Sequence, residues 1–192
     1  AIREILDLYG RTQRGRDGRA LRWRIEHAQH LHPIDVPRFA KLGVIASMQG
    51  VHASSDGPWV PKRLGEPRAG ERTYVWRSLI DSGALVSNGT DVPVEDIDPL
   101  ASFRASVTRE MVNGQRFHPE QNMTRQEALA SYTWNNAYAG FEEDLKGSLA
   151  PGKLADFVVL DRDILRVPDA ELASARVLHT VLAGRVVYSR VP

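Results

Sequence analysis

The sequence predicts an α/β protein with a parallel sheet or barrel, followed by a mainly β tail, and three observations point there. Apolar residues at helical spacing recur between short β-branched apolar runs. The strands and helices alternate at intervals too short for two separate α/β domains, the rhythm of parallel βα units. After Gly147 the pattern changes to strands and turns, so the chain divides into an α/β body over residues 1–145 and a β segment over 146–192.

Taken in order, Ile2, Ile5, Leu6 and Tyr9 fall at the i, i+3, i+4, i+7 spacing of one helical face, predicting a helix over 2–9. Residues 10–19, with Gly10, Gly15 and Gly18 among charges, read as a solvated connection, and 21–26 as a strand ending at His27. A helix from the N-cap Asp35 to Leu42 is closed by Gly43, and 44–48 is a short apolar strand. Residues 49–70 hold Pro58, Pro61 and Pro67 with no clear period and read as a long loop of the kind that is usually functional or mobile. Tyr74, Val75, Leu79 and Ile80 restore helical spacing up to Gly83, and the strand 84–88 leads into Gly89-Thr90-Asp91.

Asp98-Pro99 opens a helix running to near Met111. Thr124 and Glu127 form a capping box for a longer helix to about Ala139. In the tail, 157–160 is a strand, a short helix follows Pro168, and 177–182 with 186–188 flank Ala183-Gly184 as a hairpin.

Composition excludes several classes. At 192 residues and 42% hydrophobic the chain can bury an ordinary core, so it is neither disordered nor fibrous. With 25 Lys plus Arg against 24 Asp plus Glu and no basic stripe, the electrostatic case for a nucleic-acid or anionic-membrane partner is gone. No cysteine means no disulfide scaffold, zinc-thiolate site or Cys nucleophile, so any metal must be held by His and carboxylate. No apolar run approaches the roughly 18 residues of a membrane helix, and no signal-peptide pattern opens the chain; the expected location is cytoplasmic.

In parallel α/β sheets ligand groups collect at the carboxyl ends of strands. His27, His52 and Asp91 each sit just past one of the three predicted strands, and adjacent parallel strands would turn all three into one crevice. Two imidazoles and a carboxylate suit a hydrolytic divalent metal, zinc foremost. Two of them have a plainer reading: His27 as a strand-end hydrogen bonder, Asp91 as a turn residue. His30 and His32 read as surface or helix-entry residues, and His118 and His179 as structural or exposed. Trp59, in the long loop, either lines a substrate pocket or pins its own loop.

Four motifs then carry a resemblance: Arg24-Ile25-Glu26-His27-Ala28-Gln29; Ala46-Ser47-Met48-Gln49 with His52; Asn88-Gly89-Thr90-Asp91-Val92-Pro93-Val94; and Gly147-Ser148-Leu149-Ala150-Pro151-Gly152-Lys153-Leu154-Ala155-Asp156-Phe157-Val158-Val159-Leu160-Asp161. In order and in register, they resemble the YtcJ-like amidohydrolases (amidohydrolase family 3), which also include N-substituted formamide deformylases. The resemblance implies a metal-dependent hydrolase built as a (β/α)8 TIM barrel, with a small β-sandwich made from the two ends of the chain. His27 resembles the metal-ligand histidine after barrel strand six, and Asp91 the strand-eight aspartate that touches metal and handles the proton. His52 matches a histidine after strand seven, assigned to substrate or transition-state contact. Gly50 departs from the pattern, which commonly has proline after the Met-Gln pair.

The resemblance also implies a deficit. Family members carry a His-x-His pair after strand one, and the only His-x-His here, His30-Leu31-His32, follows the strand-six motif. The expected fold is therefore a partial barrel, about strands six to eight, plus sandwich strands: the C-terminal part of a catalytic unit that cleaves C–N bonds in small amide-type molecules. Two ligands, or three with His52, fall short of a full catalytic set, so the isolated chain is expected to bind metal weakly and not to turn over. Exposed strand edges would favour a homo-oligomer or a complementary N-terminal portion as partner. The alternative is an inactive fragment serving as an assembly module.

Overall fold

Three parallel strands lie side by side in chain order and deliver their carboxyl ends to one edge of the sheet. In the computed structural model, which describes residues 1–190, these are β1 (Arg24–Glu26), β2 (Ile45–Gln49) and β3 (Val86–Gly89), with Ile25 paired to Ala46 and Ser47 to Ser87. The central strand β2 is buried at four of its five positions, which explains its nearly continuous apolar run.

Helices connect and flank the strands. α1 (Ile2–Gln13) runs past the expected Tyr9 because Gln13 is useful inside: its amide donates to Leu42 O at 2.6 Å. The expected solvated connection contains a single turn, α2 (Gly18–Leu21), capped by the Asp17 side chain, so Leu21 is helical and not the start of a strand. α3 (Val36–Leu42) ends at Gly43, φ 63°, where a Cβ would lie 2.4 Å from the Arg19 backbone nitrogen.

The segment 49–70 corrects the expectation of a long irregular loop. It forms α4 (Gly50–Asp56), α5 (Val60–Leu64) and α6 (Arg68–Arg72). Each is too short to show a period, and Pro61 sits in the first turn of α5, where it opens a helix without breaking it.

Beyond them α7 (Trp76–Asp81) leads into β3. α8 (Pro99–Thr108) is capped by Asp98, accepting from Leu100 N and Ala101 N, but stops before Met111 because Arg109 turns left-handed. The capping box of Thr124 and Glu127 opens α9 (Arg125–Tyr132) as expected; the helix then breaks at Thr133, φ −126° and ψ −90°, and resumes as α10 (Trp134–Ala139).

In the tail, β4 (Phe157–Leu160), α11 (Asp169–Leu172), β5 (Val177–Leu182) and β6 (Arg185–Ser189) follow, the strands forming an antiparallel sheet in the order β4-β5-β6. Ala183 and Gly184, φ 50° and 76°, make the tight hairpin connection. Residues 191 and 192 of the expected 146–192 segment lie outside the described residues.

The core gathers Leu6, Phe39, Met48, Trp76 and Leu79, all fully buried, with Leu172 of α11 packed into the same cluster. The two outer strands of the parallel sheet are less bare than expected. Leu85 O turns inward to accept from Ala46 N, so by alternation Val86 O and Asn88 O face outward, and they accept from the Asn135 and Asn136 side chains of α10, both at 2.8 Å. On β1 the Tyr9 hydroxyl donates to Arg24 O at 3.2 Å. Among the described residues no helix is long and apolar enough to cross a membrane.

Candidate metal centre

Because β1, β2 and β3 are adjacent and parallel, the residues past their ends meet. His27, the first residue after β1, His52, on the first turn of α4 after β2, and Asp91, two residues after β3, each place a ligand atom within 4.8 Å of the others. The imidazoles of His27 and His52 lie roughly parallel, centroids 6.1 Å apart, and Asp91 Oδ2 stands 4.0 Å from His27 Nδ1 and 3.8 Å from His52 Nε2. His52 is buried, the Asp91 side chain about one-third exposed and that of His27 half exposed, so the group opens to solvent on the His27 side.

Backbone strain marks the same place. His27 and Ala28 have φ of 67° and 37°, and Asp91 of 61°. Side chains in the left-handed region cost about 1–3 kcal/mol each and persist only where the surroundings fix them. Here those turns aim both side chains at the crevice.

The donor set of two imidazoles and a carboxylate suits a divalent cation, and one observation calls for an occupant in the crevice beside it. His52 Nε2 is buried with no hydrogen-bond partner, and 3.8 Å to the nearest carboxylate oxygen is too long for a hydrogen bond. A buried ring nitrogen left unpaired is costly unless something that accepts its lone pair, or its proton, occupies the crevice. His27 Nδ1 is 2.9 Å from Gln49 Oε1 at the end of β2; with the amide oxygen accepting, Nδ1 carries the proton and Nε2 keeps the lone pair.

A hydrogen-bonded ring lies behind the three residues. Tyr74 Oη donates to Asp56 Oδ2 at 2.7 Å, and Gln29 Nε2 donates to the same oxygen at 3.0 Å and to Tyr74 Oη. Burial, then the hydrogen bond to the Asp56 carboxylate, pushes the Tyr74 phenol far above its ordinary value, so it stays a donor. Ser55 Oγ donates to Glu95 on the loop after Asp91. Beyond Tyr74, the fully buried Arg109 donates to Tyr74 O and Phe117 O over the Trp76 ring, and burial pulls its guanidinium down to about 9.

The remaining candidates fall elsewhere. Trp59 is exposed, with Lys62 Nζ 4.5 Å above its ring. His32 caps the 3-10 turn before α3, the expected helix-entry role, and His30 bridges to Thr73, with burial pulling its imidazole below its ordinary value. His118 lies between Glu66 and Glu120, and His179 sits within β5. Gln49, Ser55, Asp56 and Tyr74 were not singled out as site residues by sequence. Gln49 ends β2 beside His27 and was open to the strand-end argument, whereas Ser55 and Asp56 show their relation to His52 only once 50–56 is helical.

Comparison with known proteins matches residues 1–188 to the model of the amidohydrolase family. The chain is 39% identical over 185 residues to Protein LONG AFTER FAR-RED 3 of Arabidopsis thaliana, which covers 96% of this chain and 32% of that protein. It is 32% identical to the putative amidohydrolase YtcJ of Bacillus subtilis (87% of this chain, 32% of that protein) and 31% identical to the N-substituted formamide deformylase of Arthrobacter pascens (99% and 35%). The chain thus spans about a third of the length of these curated relatives. Among solved structures it is similar to an uncharacterized metal-dependent hydrolase from Pyrococcus horikoshii, with a TM-score of 0.67 and 31% identity over 77% of this chain and 30% of that one. With the family model matching residues 1–188 and the putative amidohydrolase YtcJ 32% identical over 87% of the chain, the chain belongs to the amidohydrolase family and is YtcJ-like within it.

Proposed function

We propose that this chain forms part of the catalytic unit of a metal-dependent hydrolase that cleaves the C–N bond of a small amide-type or N-substituted formamide-like molecule. The sheet would then be a portion of a (β/α)8 barrel, about strands six to eight, with residues 1–145 in the barrel and 146–192 in a composite sandwich. The observation that carries the reading is the unpaired, buried His52 Nε2 facing Asp91 across a crevice that His27 also enters.

His27 and Asp91 would hold the cation, zinc by the chemistry of the donor set. A divalent cation bound there would supply Lewis acidity, the property that lowers the pKa of water toward 7 and polarises a carbonyl. Asp91 accepts the proton of the attacking water and delivers it to the leaving amine, base then acid. Its one-third exposure and its distance from both imidazoles leave the carboxylate room to do so. His52, held by α4, donates to the substrate carbonyl oxygen as charge grows on it.

The test is metal content and amide hydrolysis, measured on this chain and on a chain of the relatives' full length that contains it. The long chain should hold about one equivalent or more of zinc and hydrolyse N-substituted formamides; this chain alone should bind zinc weakly and show no turnover. A metal-free, inactive long chain would overturn the reading.

A further inference from the structure

The last turn of α4 touches both loops that carry the candidate ligands. Resting on the proposed metal centre, we propose that Ser55 and Asp56 are positioning residues: from the helix that carries His52 they clamp the His27 loop and the Asp91 loop, and so set the separation of the three groups.

The argument begins with spacing. His52, Ser55 and Asp56 stand at i, i+3 and i+4 on α4, one face of one helix. Asp56 Oδ2 receives the Gln29 amide at 3.0 Å, and Gln29 is two residues past His27. It also receives the Tyr74 hydroxyl at 2.7 Å, and Tyr74 N in turn donates to Gln29 O at 2.9 Å. Leu31 N donates to Arg72 O at 2.7 Å, completing a strip in which the continuation of the His27 turn is tied to 72–74 and through Asp56 to α4.

Tyr74 is an unyielding member of this ring, 1% exposed and packed edge-on against Trp76 and Phe117. Ser55 does the same for the other loop: its hydroxyl holds Glu95, four residues past Asp91, in the turn where Val94 N donates to Asp91 O at 2.8 Å. The left-handed residues His27, Ala28 and Asp91 lie immediately ahead of these ties, where a loop left to itself would relax. Partners one step behind metal ligands commonly control metal affinity about 10–100-fold.

The experiment uses the intact 192-residue chain as Asp56→Ala, Asp56→Asn and Ser55→Ala, each checked for a cooperative melt. Metal-free amide exchange is read at Leu31, Tyr74 and Val94, and cobalt(II) is titrated while the histidine ring signals are followed. Asp56→Ala should speed exchange at Leu31 and Tyr74 about tenfold or more and weaken cobalt(II) at least tenfold, while Val94 stays protected. Ser55→Ala should speed exchange at Val94 alone, leave Leu31 and Tyr74 protected, and also weaken cobalt(II). Asp56→Asn, which keeps an acceptor for Gln29 and Tyr74, should restore both readouts.

Unchanged exchange and unchanged cobalt(II) response in folded Asp56→Ala and Ser55→Ala would overturn the proposal, as would Asp56→Asn behaving like Asp56→Ala. If Asp56→Ala does not fold, Asp56→Asn and Ser55→Ala still decide it. A wild-type chain whose histidine rings ignore cobalt(II) would strike at the metal centre itself, while the exchange rates would continue to judge the clamp.

Discussion

His52 Nε2 and Asp91 Oδ2 face each other at 3.8 Å, with the imidazole nitrogen buried and unbonded. Each polar atom is near enough to share a third body and too far to satisfy the other. The first prediction is taken from this pair. In a full-length chain, His52→Ala should lower kcat about 100- to 1,000-fold, the range for losing one donor to a developing oxyanion. Zinc content should stay as in the wild type, because the proposed ligands are His27 and Asp91. Loss of zinc along with activity would instead make His52 a ligand.

Asp91→Asn removes the charge and the proton acceptor while keeping the shape. Zinc retained after dialysis should fall sharply and turnover should vanish at every pH. Activity rescued by raising pH would show that the proton is taken elsewhere.

Gly50→Ala tests how α4 is seated. A Cβ there would lie 2.1 Å from Ser106 Oγ and 2.6 Å from both Ser102 O and Tyr132 Oη. Overpacking of this kind costs about 1–3 kcal/mol, measurable as a lower denaturant midpoint with unchanged slope. The same geometry gives a reason for glycine at a position where the family pattern commonly has proline: α4 begins there against α8 and α9.

Glu127 sets a pH dependence of stability. Its hydrogen bonds from Arg77 hold the carboxyl at about 2, below the ordinary 4.5. A depressed carboxylate contributes stability that is full above the ordinary value and drains away as pH falls toward the folded value. The melting temperature should therefore decline between about pH 4.5 and 2, and Glu127→Gln, which keeps the capping box, should flatten that decline. Parallel curves for the two proteins would contradict this.

The parallel strands were legible in the sequence, and with them the meeting of His27, His52 and Asp91 on condition that the strands are neighbours, because short apolar runs between helices make parallel strands whose carboxyl ends share an edge; the strand order itself came from the structure. The capping box at Thr124 and Glu127 was legible for the same local reason, two side chains answering two backbone donors. Residues 49–70 were not, since helices of five to seven residues complete too few turns to show a period and are held by packing. With α4 unseen, the face shared by His52, Ser55 and Asp56 was unseen as well. The break at Thr133 was hidden too, because no proline or glycine marks it. That His52 Nε2 lacks a partner is a property of three-dimensional neighbours and has no trace in composition or spacing.

The asparagines on β3 carry a consequence for how this sheet could grow. Asn135 and Asn136 already answer the outward carbonyls of Val86 and Asn88, and Tyr9 answers that of Arg24. A strand arriving at either side must first evict a resident donor, trading one hydrogen bond for another, so lengthening the sheet is an exchange reaction and not a simple addition. Two donors must leave on the β3 side against one on the β1 side, which makes the two flanks unequal in the barrier they raise to a newcomer.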